Sequence, residues 1–122
     1  MTTTSPTMLL EVQGVAVHFS GLVAIENMSF GVPEGRILSL IGPNGAGKTT
    51  AFNVITGFLK PSAGKVIYRG QDMTRLPPEK IAARGVVRTF QHISIFGGCT
   101  VFENVLTGLH LYGRTEILGA LF

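Results

Sequence analysis

The sequence predicts an α/β fold, and three stretches carry this prediction. Residues 10–19, LEVQGVAVHF, alternate apolar and polar side chains, as a half-buried strand does. Residues 37–42, ILSLIG, are a short apolar run that ends in glycine, which is typical of a strand buried on both faces. Residues 48–60, KTTAFNVITGFLK, place apolar side chains at helical spacing. We therefore expect a parallel-sheet core in which Ile37–Ile41 is a central strand, preceded by a partly antiparallel sheet.

The other elements follow from periodicity and turn residues. Residues 1–9 are expected to be a flexible tail. Further along we expect strands at Ile25–Val32, 65–70 and Val86–Phe90, a turn at 33–36 and a short helix at 77–85. A longer helix is expected at 48–59, with Phe52 and Ile55 packed on the sheet. A last helix should begin with a capping box of Thr100 and Glu103. No internal repeat or low-complexity segment interrupts this order.

Composition and charge exclude several classes of protein. With 122 residues, 45% of them hydrophobic and 14% charged, the chain is long enough for one core and too apolar to be disordered. The net charge is +3, but the Lys and Arg residues are scattered from Arg36 onward, which argues against nucleic acid and favours a phosphate ligand. Cys99 is the single cysteine, so an internal disulfide is excluded and a cytoplasmic location is expected. The N-terminus lacks the parts of a secretory signal, and no apolar run approaches the roughly 20 residues of a membrane span.

The stretch GPNGAGKTT, residues 42–50, is a candidate phosphate-binding loop. It satisfies the pattern G-x-x-x-x-G-K-[ST] and stands between the expected buried strand and the expected helix. Glycines let successive backbone N–H groups turn inward around an anion, and the helix N-terminus adds its positive end. Lys48 would contact the terminal phosphates, and the Thr49 hydroxyl would bind Mg²⁺. The predicted nucleotide-binding residues of this loop are Gly42, Pro43, Asn44, Gly45, Ala46, Gly47, Lys48, Thr49 and Thr50. A glycine-rich turn that matches by chance is the alternative.

Together with its neighbours, this loop resembles the ATP-binding subunits of ABC transporters, most closely those for branched-chain amino acid uptake. The resemblance spans about residues 10–113 and rests on GLVAIENMSFGVPEGRILSLIGPNGAGKTTAFNVITGFLKPSAGKV and VVRTFQHISIFGGCTVFENV. It implies a P-loop NTPase core of the ABC ATPase type with an N-terminal antiparallel β subdomain. Residues 10–122 would then be the N-terminal part of such a domain, truncated before the strand that carries the Walker B carboxylates.

Two further site residues follow from the resemblance. Phe19 stands where the family has an aromatic residue that stacks on adenine, although its position on the strand face of Val15 and Val17 leaves a core role open. Gln91, in RTFQ, matches the Q-loop glutamine, which implies a catalytic role and contact with Mg²⁺ or the attacking water. An ordinary polar turn residue is the alternative there.

Several catalytic parts of the family are absent from these 122 residues. There is no LSGGQ signature and no switch histidine after a Walker B strand, and the one aspartate, Asp72, lies in a polar turn. The chain ends in an apolar segment, which we interpret as a truncated product or fragment.

Two functions remain after these observations. The first is the ATP-binding component of an importer for branched-chain amino acids, which would use ATP and Mg²⁺, contact transporter membrane subunits and a second ATP-binding subunit, and lie on the inner face of the cell membrane. The second is a remnant that holds ATP and Mg²⁺ without hydrolysing ATP. A GTPase or kinase is disfavoured, since the N-K-x-D motif of GTPases is missing.

Overall fold

The computed structural model describes residues 5–90, 92 and 94–109. The chain divides into two units, the first ending at Val87 and the second beginning at Arg88. Each unit is described by itself below. Within the described part of the chain, no helix combines the length and apolar character that crossing a membrane requires.

The first unit is built on an antiparallel four-stranded sheet. Its strands are β1 (Met8–Phe19), β2 (Leu22–Pro33), β3 (Ala63–Tyr68) and β4 (Gln71–Asp72), in the spatial order β2-β1-β3-β4. The antiparallel N-terminal sheet is therefore confirmed. The tail is shorter than expected, because Met8 already pairs with Pro33 and so places residues 8 and 9 in β1.

One helix covers a face of this sheet and closes the core. This is α1 (Lys48–Ile55), which is followed by a second, shorter helix, α2 (Pro78–Ala83). The buried side chains come from the sheet, from both helices and from the segment after β4: Val12, Val15, Val17, Ile25, Ala51, Val54, Ile55, Val66, Met73 and Ile81. Each such aliphatic side chain contributes about 1.5–3 kcal/mol when fully buried. This packing places the start of α1 next to β2.

The expected helix at 48–59 differs from α1 in length and in its buried face. The turn at Thr56 and Gly57 ends α1 four residues early. Ile55 is buried as expected, but Phe52 is 48% exposed. Ala51 and Val54 take its place because their side of the helix faces the core.

Two expected strands are wrong. Segments 37–41 and 86–90 are irregular, and Ile37 and Ile41 are 97% and 88% exposed. A strand buried on both faces requires hydrogen-bonded neighbours and covering layers. The described residues supply neither for Ile37–Ile41, since all ladder pairs belong to β1 to β4.

The second unit contains α3 (Val101–Gly108), which begins as the sequence predicts. The Thr100 hydroxyl accepts a hydrogen bond from the Glu103 backbone N–H at 3.2 Å, and the Glu103 carboxylate accepts one from the Thr100 N–H at 2.7 Å. Asn104 ties the preceding loop to the helix through its bonds to the Phe96 backbone. The expected capping box is therefore confirmed.

Candidate phosphate-binding site

The glycine loop leads directly into α1. The Ala46 N–H donates a hydrogen bond to the Pro43 carbonyl at 3.2 Å, which closes a turn around Asn44 and Gly45. Gly45 and Gly47 have φ angles of +86° and +89°, in the left-handed region that side chains with a Cβ disfavour. The backbone can therefore curl as the motif requires.

Gly47 also makes a close tertiary approach. A Cβ at this position would lie 2.8 Å from the Ala24 carbonyl oxygen and 3.2 Å from the Ile25 side chain, both on β2. The Gly47 carbonyl in turn accepts a hydrogen bond from the Ala51 N–H at 2.8 Å, in the first turn of α1. This glycine therefore seats the start of the helix against the sheet. The sequence motif predicted the glycine but not Ala24, because no sequence pattern links the two positions.

The N-terminus of α1 is open to an anion. The first backbone N–H groups of a helix lack intrahelical partners and carry the positive end of its dipole. Here Gly47 provides no side-chain cap and the first turn contains no acidic residue. Thr49 is exposed in this turn and Thr50 is half-buried. An incoming anion would therefore meet neither a competing carboxylate nor an existing cap.

Lys48 adds a full positive charge to the loop. Its side-chain amine donates hydrogen bonds to the carbonyl oxygens of Gly42 and Pro43, the latter at 2.6 Å. The Lys48 side chain thus folds back over the start of the loop from the first position of α1. Glycine backbone, helix N-terminus and ammonium group are brought together, which is an arrangement suited to phosphate oxygens.

The two residues predicted outside the loop have different outcomes. Phe19 ends β1 and is 44% exposed, whereas Val15 and Val17 on the same strand are buried. The core alternative for Phe19 is therefore not supported by its burial. Gln91 lies outside the described residues, so its predicted catalytic and metal-binding roles stay predictions.

Asp72 is the last residue of β4 and is held by hydrogen bonds from the turn that follows the strand. Its carboxylate accepts hydrogen bonds from the Thr74 hydroxyl and from the Thr74 N–H, the latter at 2.9 Å. These two bonds, with smaller contributions from Lys65 and Arg75, hold the pKa of Asp72 below its usual value of 3.8. Within the described ranges, no group of three or more His, Cys, Asp or Glu side chains could bind a metal. The carboxylate acts here as an acceptor for its own turn.

Sequence comparison identifies the family of the chain. The ABC transporter family matches residues 25–120, which include the whole glycine loop and α1. The chain belongs to the ABC transporter family. Within that family it is 48% identical over 113 residues to the high-affinity branched-chain amino acid transport ATP-binding protein LivG of Salmonella typhimurium, and 45% identical over 114 residues to BraF of Pseudomonas aeruginosa.

These alignments cover 93% of this ABC-family chain but only 44% of LivG and 45% of BraF. The chain therefore spans less than half the length of these relatives.

Solved structures place the fold among ABC ATPases. The ADP conformation of MJ1267, an ATP-binding cassette of an ABC transporter, matches with a TM-score of 0.69 and 38% identity, over 71% of this chain and 34% of that one. A nucleotide-free ATP-binding cassette matches with the same TM-score, 0.69, and 28% identity, over 93% of this chain and 51% of that one. The predicted fold class is confirmed by these neighbours.

Proposed function

We propose that this chain is the nucleotide-binding part of an ATP-binding subunit that serves an importer of branched-chain amino acids. The observation that carries the proposal is the convergence of the Lys48 ammonium, the glycine-loop backbone and the uncapped N-terminus of α1. The identity to LivG and BraF supports the transport substrate. In this proposal the chain works on the cytoplasmic side of the membrane, with membrane subunits and a second ATP-binding subunit as partners.

Each residue of the site has a separate role in this proposal. Backbone N–H groups of the loop and of α1 bind the phosphates, and Lys48 contacts the terminal ones. Phe19, exposed at the end of β1, stacks on the adenine ring. Gln91 orients the attacking water, as the family resemblance implies.

Magnesium fits the oxygen donors at this site. Thr49 presents a hydroxyl in the first turn of α1, next to the proposed phosphate position, and oxygen ligands suit Mg²⁺. The ion would neutralise the charge of the terminal phosphates when bound. Thr49 and Gln91 are the residues of this chain proposed to bind it.

The binding step is tested by titrating the whole chain with a fluorescent ATP analogue in the presence and absence of Mg²⁺. Lys48→Ala should weaken binding by about 10- to 100-fold, because a charge-assisted contact contributes about 1.5–3 kcal/mol. Lys80→Ala is the matched control, since Lys80 is an exposed cation in α2. Equal affinities of both variants would contradict the proposed site. Thr49→Ala should abolish the Mg²⁺ dependence while leaving binding of metal-free nucleotide nearly unchanged.

The transport role needs a different experiment. A gene encoding this chain in its full-length context should restore leucine uptake to cells that lack their own branched-chain ATP-binding subunit, and Lys48→Ala in that gene should abolish the uptake. Binding of ATP without restored uptake would favour the alternative, a non-hydrolysing ATP and Mg²⁺ binder. Restored uptake of a different amino acid class would contradict the proposed substrate.

A further inference from the structure

A groove of about 410 Å³ lies in the first unit and shares no residue with the glycine loop. One wall is segment 60–65, which comprises the end of the α1–β3 connection and the first residues of β3, and the other contains Asp72 and segment 74–76. Along the chain, the glycine loop precedes α1 and the groove residues follow it, and the eight-residue helix between them is about 12 Å long. Its volume is in the range that holds small ligands.

The groove is lined by three cationic side chains and one carboxylate. The Lys60 amine is used internally, because it donates to the Leu76 carbonyl at 2.6 Å. Asp72 accepts from Thr74. In the part of the chain that the structure describes, the side chains of Lys65 and Arg75 form no hydrogen bond and no ion pair within 4 Å. Two cationic groups therefore face the groove with their donors available.

Ser62 adds a neutral donor to the same wall. Its hydroxyl oxygen accepts a hydrogen bond from the His18 N–H at 3.0 Å, which fixes the side chain and leaves the hydroxyl proton available for a ligand. Its backbone N–H donates to the Ala16 carbonyl at 2.8 Å, so this wall is anchored on β1. The groove thus combines a hydroxyl that is held by a backbone hydrogen bond with two exposed cations.

We propose that this groove binds a phosphate group of a small free phosphate compound, held by Arg75, Lys65 and the Ser62 hydroxyl. A guanidinium presents paired donors that match two phosphate oxygens, and an ammonium adds a point charge. Asp72, whose pKa is kept low by its bonds to Thr74, stays ionised at neutral pH and weakens the affinity for anions. The inference is independent of the nucleotide function proposed for the glycine loop.

The experiment is a titration of the whole chain with tripolyphosphate, followed residue by residue through backbone amide NMR signals. Residues 42–49 report on the glycine loop, and residues 62–65 and 74–75 report on the groove, so the two sites are read separately in one sample. A parallel titration with ATP distinguishes a free polyphosphate from a nucleotide as the source of the phosphate. The wild-type titration alone decides the question even where a variant does not fold.

We expect saturable changes at both sets of signals with tripolyphosphate. Lys65→Ser and Arg75→Ser should each weaken groove binding about tenfold, while the control Lys80→Ser leaves it unchanged. Asp72→Asn should tighten it several-fold, because asparagine keeps the acceptor for Thr74 and removes the negative charge. Changes confined to residues 42–49, or groove changes with ATP alone, would overturn the proposal.

Discussion

The side-chain amine of Lys48 donates a hydrogen bond to the carbonyl oxygen of Pro43 at 2.6 Å, and a second one to the carbonyl of Gly42. The ammonium thereby joins the first turn of α1 to the start of the glycine loop. Phosphate oxygens would compete with these carbonyls for the same three N–H donors. The lysine is therefore expected to order the loop before a ligand binds as well as to hold the ligand.

This dual role predicts the behaviour of Lys48→Met, which keeps the length of the side chain and removes the charge. Without ligand, the amides of residues 42–46 should exchange with solvent faster than in the wild-type chain, while those of β1 and β3 stay unchanged. Native-state hydrogen exchange measures this difference. Unchanged exchange in the loop would indicate that the carbonyl bonds do not order it.

Gly47 and Gly45 provide a matched pair that separates backbone strain from a steric clash. Both have a positive φ, but a Cβ on Gly47 would contact Ala24 whereas one on Gly45 has nothing within 4 Å. Gly45→Ala should lower the free energy of unfolding by about 1–2 kcal/mol, the cost of alanine in the left-handed region. Gly47→Ala should lower it by at least twice as much, measured by urea denaturation. Equal losses would mean that α1 moves away from β2 at little cost.

The exposed ring of Phe19 predicts a difference between two ligands. Phe19→Ala should weaken ATP binding by about 5- to 150-fold, because stacking of a base on an aromatic ring contributes about 1–3 kcal/mol. Binding of pyrophosphate, which has no base, should stay unchanged and is the internal control. Calorimetric titration of both ligands measures the two affinities. Equal losses would indicate damage to the fold rather than loss of stacking.

The features that the sequence predicted correctly depend on local signals. The strand β1 and the Thr100 capping box are each specified within a dozen residues. Ile37–Ile41 shows the limit of such signals, because an apolar run indicates a strand only if other segments supply its ladder. The segments that would supply those contacts are distant in sequence, so the apolar run alone does not indicate whether they are present.

The buried face of α1 depends on tertiary contacts in the same way. Helical periodicity predicted an apolar stripe with Phe52 in it, but the position of the sheet selects Ala51, Val54 and Ile55. Among the site residues, the loop was predictable from its motif, whereas the approach of Gly47 to Ala24 joins two elements and was not. The pairing of Lys65 and Arg75 in the groove could not be predicted either, since these residues are ten positions apart in segments that only the fold brings together.

Asp72 predicts a pH dependence of stability in the acid range. Its pKa in the folded chain lies below the usual 3.8, chiefly because the Thr74 hydroxyl and N–H bind the ionised form. A depressed pKa gives stability that is present above the unfolded pKa and lost as the pH falls through the folded one. The difference in unfolding free energy between wild type and Asp72→Asn should therefore be constant above about pH 5 and change progressively below 3.8. Denaturant curves at several pH values measure it, and a change centred near neutral pH would implicate another group.

The last prediction concerns turnover by the 122-residue chain itself. We expect it to bind Mg²⁺ and ATP without meaningful hydrolysis, since catalysis of phosphoryl transfer depends on a positioned metal and an oriented water. Thr49 and Gln91 are the residues proposed for those tasks. Glu26 follows the apolar run of residues 22–25, but that run lies in β2 and begins with the exposed side chains of Leu22 and Val23. Asp72, the one aspartate, accepts a hydrogen bond from Thr74 and lines the groove, which shares no residue with the glycine loop. Release of phosphate from ATP is the measurement, with Lys48→Ala as the control for contaminating enzymes. A turnover near 1 per second is typical of the slower enzymes. Such a turnover would contradict this prediction if it disappeared in Lys48→Ala. Asp72→Asn would then be the first variant to test for the missing carboxylate.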